Sequence, residues 1–269
     1  MSTTTGTTRD PQAAIQLVDR RPAAGGVNGT FLWIEIKRLL RNRRTLIFTI
    51  AIPALFFAIF GLSNKNQMLP GGTHSYGEYI LISLTVYAAM TSATASGSQV
   101  AVERAQGWSR QLRLTPLRPG AYILVKAAAA LAMSLIAVVA QFVIGALFGV
   151  HLDAATLVVA GLAAWLGSLV FAALGLMVGY LMPSQNVMQL LGPVLAIMAM
   201  LGGLFMPLEV MGSTFADIAR FSPAYGIGQI ARSPLTGNWD WIWVVNAVVW
   251  LAIFVTGAAL AFRKDTKRV

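Results

Sequence analysis

The distribution of charges is the feature that most constrains what this chain can fold into. Six long apolar runs lie between Thr45 and Phe262, and none of them contains an Asp, Glu, Lys or Arg. The charges lie between the runs, although the net charge is +10. Exposing apolar helical surfaces of this length to water is unfavourable, whereas the hydrocarbon core of a bilayer requires them. The sequence therefore predicts an all-α integral membrane protein whose embedded part carries no ionised side chain.

The lengths of the runs predict six transmembrane helices. A helix needs about 20 apolar residues to cross the hydrocarbon core. The charge-free stretch from Ala154 to Leu208 is too long for one helix, and Pro183-Ser184-Gln185-Asn186 predicts a tight turn within it. The predicted spans are 45–62, 79–102, 127–150, 154–182, 187–206 and 241–262. Residues 1–29 predict a disordered tail, and 30–269 form one transmembrane domain.

The basic residues predict the orientation of these spans. With a cytoplasmic N-terminus, eight Lys and Arg precede the first span, five separate spans two and three, and four follow span six. Only Lys65, Arg220 and Arg232 fall on the other side. Because short cytoplasmic loops carry the excess of basic residues, both termini are predicted to be cytoplasmic. The expected location is the plasma membrane, with several passes and direct contact with lipid.

Several function classes lack the residues that they need. Cysteine is absent, so disulfides and thiol chemistry are excluded, and His74 and His151 have no neighbouring ligands at metal spacing. There is no P-loop motif, and no nucleophile–base pair is present. We expect no catalytic residue, bound cofactor or metal in this chain. We also expect no nucleic acid partner, since basic residues in a membrane protein mark its cytoplasmic face. Uphill transport would therefore need energy from a partner.

Residues 30–44 form the first of two cytoplasmic elements that indicate an interaction. Apolar and basic positions alternate there at helical spacing, which predicts an amphipathic helix on the inner leaflet. An ordinary basic segment before the first span is the alternative. The residues assigned to this interfacial helix are Trp33, Ile36, Arg38, Leu40 and Arg41.

The loop after span two is the second element. It predicts a short helix that Pro116 must end, with Trp108 and Leu112 on one face and Arg110 and Arg113 beside it. An exposed Trp–Leu face rimmed by Arg is typical of a surface that docks a soluble protein. An ordinary basic inside loop is the alternative.

Span two carries several small polar side chains that predict a substrate path. The candidates are Thr91, Thr94, Ser98 and Gln99. Hydroxyl groups also bond the backbone of their own helix, and that alternative stays open.

The segment between spans five and six mixes apolar and polar positions over residues 209–240. It predicts short helices that re-enter the membrane from the outside. Ser222 is predicted to cap one of them, with Pro223 at its first position. Pro207, Ser222, Pro223 and Tyr225 are the candidates for an outer gate.

Two motifs carry a resemblance to a known family. The run Glu103-Arg104-x-x-Gly107-x-x-x-x-Leu112-x-x-Thr115-Pro116-Leu117 resembles the signature of ABC-2 type exporter permeases. The segments Phe205-Met206-Pro207-Leu208 and Phe221-Ser222-Pro223-Ala224-Tyr225 are similar to a second, looser motif of that family. The resemblance covers roughly residues 30–265.

The resemblance implies a partner and a mechanism. Two permease chains, either copies of this one or this one with a related chain, would pair above two separate P-loop ATPase subunits that bind ATP and Mg²⁺. Glu103–Thr115 would be the coupling helix between spans two and three, supported by residues 30–44. The implied docking residues are Glu103, Arg104, Gly107, Trp108, Arg110, Leu112, Arg113, Thr115 and Pro116.

The leading interpretation is thus the permease subunit of an ATP-driven exporter of a drug, lipid or glycan. A membrane scaffold or assembly factor that recruits a cytoplasmic partner is the alternative. A membrane enzyme lacks a nucleophile–base pair, and a channel lacks a ring of carboxylates or a filter motif. The sequence identifies neither the cargo nor the pairing as homodimer or heterodimer.

Overall fold

The computed structural model describes residues 26, 29–69, 74–107 and 119–267. Within these ranges the chain is almost wholly helical and contains no β-strand. The helices are α1 (Gly29–Arg41), α2 (Arg43–Phe56), α3 (Tyr76–Ala105), α4 (Pro119–Leu147), α5 (Ala154–Leu181), α6 (Ser184–Leu201), α7 (Ser213–Ala219), α8 (Pro223–Thr236) and α9 (Trp241–Lys267). The all-α fold is therefore confirmed.

Five of these helices, α3, α4, α5, α6 and α9, are long and apolar enough to cross a membrane. The first predicted span corresponds to a shorter apolar helix, Thr49–Gly61, which combines the end of α2 with a π-helical turn, Phe57–Gly61. Pro53 lies inside α2 and removes one backbone hydrogen bond, so this helix is irregular as well as short. A sixth crossing and the orientation of the termini stay predictions.

Several helix ends differ from the predicted span boundaries, and two of these differences bear on the site. Helix α4 begins at Pro119 rather than at 127, because Pro is favourable in the first turn of a helix. Lys126 consequently lies inside α4. Helix α6 ends at Leu201 rather than at 206, because Gly202 caps it and Gly203 adopts a positive φ of 67°.

Helix α3 forms the centre of the bundle and packs most extensively against α5 and then α4. Small residues allow α3 and α5 to approach closely. A Cβ atom on Gly97 would lie 2.5 Å from the carbonyl oxygen of Ala172, and one on Gly175 would lie 2.4 Å from that of Thr94. The Gly175-x-x-x-Gly179 motif therefore serves packing within the chain.

Two short helices, α7 and α8, lie between α6 and α9. Ser222 caps α8 by accepting a hydrogen bond from the Ala224 N–H at 3.3 Å, and Pro223 occupies the first turn, which confirms the predicted start of this helix. Helix α8 packs against α5, α9 and α3, and touches α6. Arg232 of α8 contacts Ser83 near the start of α3, whereas Arg38 of α1 contacts Glu103 near its end, so α8 and α1 lie at opposite ends of the bundle.

Candidate functional site

Five side chains from three helices form a buried charge cluster where α1 meets the end of α3 and the start of α4. Lys126 of α4 donates hydrogen bonds to the carboxylates of Glu35 in α1, at 2.5 Å, and of Glu103 in α3. Arg38 also donates to both carboxylates, and the distance from its Nη2 to Glu35 Oε1 is 2.6 Å. The Tyr122 hydroxyl donates to Glu103 Oε2 at 2.5 Å. The cluster joins α1, α3 and α4.

The burial of these charges makes the cluster strongly interdependent. Lys126 is 2% exposed, Glu103 3% and Glu35 4%. Two carboxylates face two cations, so the cluster is neutral overall, which is the condition under which buried charges are tolerated. Burial opposes ionisation of Arg38, but its hydrogen bonds and the charges of Glu103 and Glu35 outweigh this and raise the pKa of its guanidinium. Loss of any one charge would leave another buried without compensation.

The prediction of an embedded part without ionised side chains stays a prediction, but it left out the charges that are buried between helices. Lys126 is buried inside α4, and Glu103 is buried in the last turns of α3. Arg232, which was assigned to the outer side of the membrane, is buried in α8. Each of these charges faces protein rather than lipid, where polar partners compensate for the loss of water. The charge-free runs predicted the apolar helices but gave no information about these interior contacts.

The orientation of α1 follows from the same cluster. Glu35 and Leu39 face the protein, whereas Trp33 is 63% exposed and Leu40 also points away. Ile36 is half-buried and packs near Leu39. The face of α1 that contacts the bundle therefore contains the carboxylate of Glu35. This is tolerated because Lys126 of α4 donates a hydrogen bond to it. Arg41 is exposed at the end of the helix.

Three of the predicted docking residues, Glu103, Arg104 and Gly107, lie within the described residues. Glu103 belongs to the charge cluster, and Arg104 donates to the carbonyl oxygens of Gly179 and Tyr180, at 3.1 and 2.8 Å, at the end of α5. Gly107 follows α3 with a positive φ of 74°, and a Cβ atom there would meet no atom of the described residues within 4 Å. The remaining docking residues lie outside the described residues: Trp108, Arg110, Leu112, Arg113, Thr115 and Pro116.

The predicted substrate-path residues differ in their exposure. Thr94 is fully buried between α3 and α5, and its hydroxyl is 2.8 Å from the Met90 carbonyl oxygen and 3.2 Å from that of Phe171. Ser98 is buried as well and bonds its own helix. Thr91 and Gln99 lie one above the other on the partly open face of α3. These two are the partly exposed members of the four, and the Thr91 hydroxyl also donates to carbonyl oxygens of its own helix, those of Tyr87 at 2.9 Å and Ala88 at 3.1 Å.

At the opposite end, the predicted gate residues line the junction of α6 and α8. Pro207, Ser222 and Pro223 are buried, and Tyr225 is half-buried. The Ser222 hydroxyl donates to the Met198 carbonyl oxygen at 3.3 Å, which ties the start of α8 to α6. Ser222, Pro223 and Tyr225 thus lie together at the start of α8, whereas Pro207 lies between α6 and α7.

Sequence reasoning missed Glu35, Tyr122 and Lys126 as members of a site. The sequence did contain a signal for the two acidic residues of the cluster. Glu35 is the single acid among the basic residues of 30–44, and Glu103 is the single acid between residues 100 and 126. A lone acidic residue in a basic segment has potential cationic partners, which makes it a candidate for an internal salt bridge. Within the described ranges, no group of three His, Asp or Glu residues is placed to hold a metal ion.

Comparison with known proteins adds two findings. Residues 28–235 match the family model of the ABC-2 type transporter. The chain is also 26% identical over 234 residues to the protein named "Putative transport permease YvfS" of Bacillus subtilis (strain 168). That alignment covers 86% of this chain and 95% of the relative. The family match includes α1, the charge cluster and the segment between α3 and α4.

Proposed function

This chain belongs to the ABC-2 type transporter family, and we propose that it is the membrane subunit of an exporter that separate ATPase subunits drive. Families of this type generally work with a partner ATPase. The proposed complex contains two permease chains and two P-loop ATPase subunits in the plasma membrane, with both termini and the charge cluster on the cytoplasmic side. Its cargo is an amphipathic or lipid-linked molecule, because the open face of α3 offers Thr91 and Gln99 among apolar residues.

The observation that carries this proposal is the position of Glu103. It stands at the start of the segment that would dock the ATPase, and its carboxylate is bound by Arg38 of α1 and Lys126 of α4. A displacement of the docking segment would therefore move α1, α3 and α4 together. A purely recruiting surface has no need of such a rigid connection to the spans. Buried charge pairs resist sliding because any partial separation leaves charges unpaired.

The composition of the intact complex tests this proposal. The chain would be tagged at its C-terminus, purified from native membranes in several mild detergents, and weighed as an intact complex. Two permease chains with two P-loop ATPase subunits are expected, and vesicles that contain this complex should hydrolyse ATP faster when cargo is present. Complexes that lack an ATPase in every detergent would contradict the exporter and favour the scaffold.

Two glycines provide a matched pair for locating the docking site. Gly107 and Gly149 both adopt positive φ angles, 74° and 79°, and no atom in the described part of the chain lies within 4 Å of a Cβ position on either. They lie after α3 and after α4, at opposite ends of the bundle. Gly107→Asp is expected to lose the ATPase subunits while Gly149→Asp retains them, since the two changes carry the same backbone strain and charge. Equal retention in both variants would contradict docking at the segment after α3.

A further inference from the structure

Arg232 is the largest fully buried side chain of the described residues, and the predicted gate does not account for it. It belongs to α8 and is 2% exposed. Its Nη1 donates to Ser83 Oγ of α3 at 3.1 Å and to the Gly203 carbonyl oxygen at 3.3 Å, and its Nη2 donates to the Gly202 carbonyl oxygen at 3.3 Å. The guanidinium also lies 5.0 Å from the centre of the Tyr79 ring. One side chain thus connects α8, α3 and the end of α6.

The partners of this arginine carry partial negative charge. Gly202 caps the C-terminus of α6, where the last carbonyl groups have no partner within the helix. The helix dipole favours a cation at that position. The hydroxyl of Tyr79 donates to the same Gly203 carbonyl oxygen at 2.9 Å, so this carbonyl group receives donors from both α3 and α8. The end of α6 is therefore held from two sides.

Glycines allow α8 to approach this point closely. A Cβ atom on Gly202 would lie 2.7 Å from the Ala224 Cβ. A Cβ atom on Gly228 would lie 3.1 Å from Arg232 Nη1 and 3.1 Å from the Gly202 carbonyl oxygen. Any larger residue at either position would push α8 away from α6 and lengthen the contacts of the guanidinium. The backbone is thus shaped around the arginine.

We propose that Arg232 is a positioning residue for export, a latch that holds the outer end of the path closed by joining α8 to α3 and to the end of α6. The three hydrogen bonds that Arg232 donates are long, between 3.1 and 3.3 Å. When α8 moves outward, water replaces them around the guanidinium. Opening therefore costs less than the number of broken bonds alone would indicate. A latch of this kind closes firmly and still releases in each cycle. This inference rests on the proposed function as an ATP-driven permease.

The absence of cysteine from the chain makes the latch directly testable. Ser83→Cys places a thiol of similar shape beside the guanidinium, at a position that is fully buried in the closed state. Right-side-out vesicles from the source cells, loaded with ATP or with a non-hydrolysable analogue, would be treated with a membrane-impermeant maleimide. With Arg232 present, we expect slow labelling with the analogue and faster labelling during ATP hydrolysis.

The second variant, Arg232→Met in the Ser83→Cys background, removes the latch. Labelling is expected to rise by about tenfold, a change that corresponds to about 1.4 kcal/mol, and to become independent of ATP. Ala160→Cys, a fully buried reporter near the start of α5 and so on the same outer side as Ser83, should stay unlabelled in the same variant. A general loosening of the fold would expose both reporters, whereas loss of the latch exposes only the one at position 83.

Each outcome decides between the proposals. Equal labelling at position 83 with and without Arg232 would overturn the latch. Increased labelling at both reporters in the Met variant would also overturn it, because Arg232 would then only stabilise the fold. If Arg232→Met exposes position 83 while ATP never changes the labelling of the parent protein, the latch stands and the ATP-driven function fails.

Discussion

Replacement of Lys126 by methionine is the sharpest test of the charge cluster. The substitution keeps most of the aliphatic stem of the side chain, so the loss of packing is small. It removes the ammonium group that donates to both Glu35 and Glu103. Two buried carboxylates then face only Arg38, whose side chain is 42% exposed. The variant thus isolates the electrostatic contribution of one buried cation.

The expected magnitude follows from the burial of the pair. Two charges about 4 Å apart interact by about 4 kcal/mol at an effective dielectric constant near 20. Removal of one partner of a buried pair typically costs about 3–5 kcal/mol, since the other charge stays buried. For a protein of this size, each kcal/mol lowers the melting temperature by about 2–4 °C. Lys126→Met should therefore melt roughly 6–20 °C below the parent protein.

Thermal unfolding in detergent, followed by tryptophan fluorescence, measures this effect. Lys37→Met in α1 is the matched control, because Lys37 is exposed and its replacement should change stability by less than about 0.5 kcal/mol. The double variant Glu103→Gln with Lys126→Met removes one charge of each sign, so its loss should be smaller than the sum of the two single losses. A melting temperature for Lys126→Met equal to that of Lys37→Met would refute the reasoning.

Three further predictions concern packing and capping. Gly175→Ala should destabilise the fold by about 1–3 kcal/mol, because its Cβ would lie 2.4 Å from the Thr94 carbonyl oxygen, whereas Gly192→Ala, which has open space in α6, should be neutral or slightly stabilising in the same melting assay. The buried amide nitrogen of Gln141 has no hydrogen-bond partner among the described residues, so Gln141→Leu should raise the melting temperature, and a fall would indicate a missed partner. Asp153 caps α5, and the bonds that its carboxylate accepts lower its pKa. This stabilisation is present above the ordinary pKa of about 4 and is lost as the pH falls through the lowered value. Hydrogen exchange at the start of α5 should accordingly differ between Asp153→Ala and the parent protein at pH 6 but not at about pH 2.

The part of the fold that depends on lipid was predictable from composition and spacing. Charge-free runs placed the apolar helices, Pro183 separated α5 from α6, and the Ser222-Pro223 pair marked the start of α8. These features act over a few residues, so a local pattern is enough to recognise them. The family was also accessible from short motifs, which the match over residues 28–235 confirms.

The interior contacts were not predictable in this way. Glu35 and Lys126 are separated by 91 positions, and Arg232 and Ser83 by 149. No local pattern links such residues, and a basic residue beside an apolar run looks the same whether it reaches water or a buried carboxylate. The sequence predicts Lys126 at the edge of a span because the predicted span starts at 127, whereas α4 begins at Pro119.

The sequence by itself determined that this chain is helical and embedded in a membrane, because every residue that faces the bilayer must be compatible with lipid. Its short motifs also determined the transporter family. The tertiary structure decided which charges are internal and which helices they join. Burial of Lys126 and Arg232 is favourable only where partners from other helices replace water, and those partners come together only in the folded bundle.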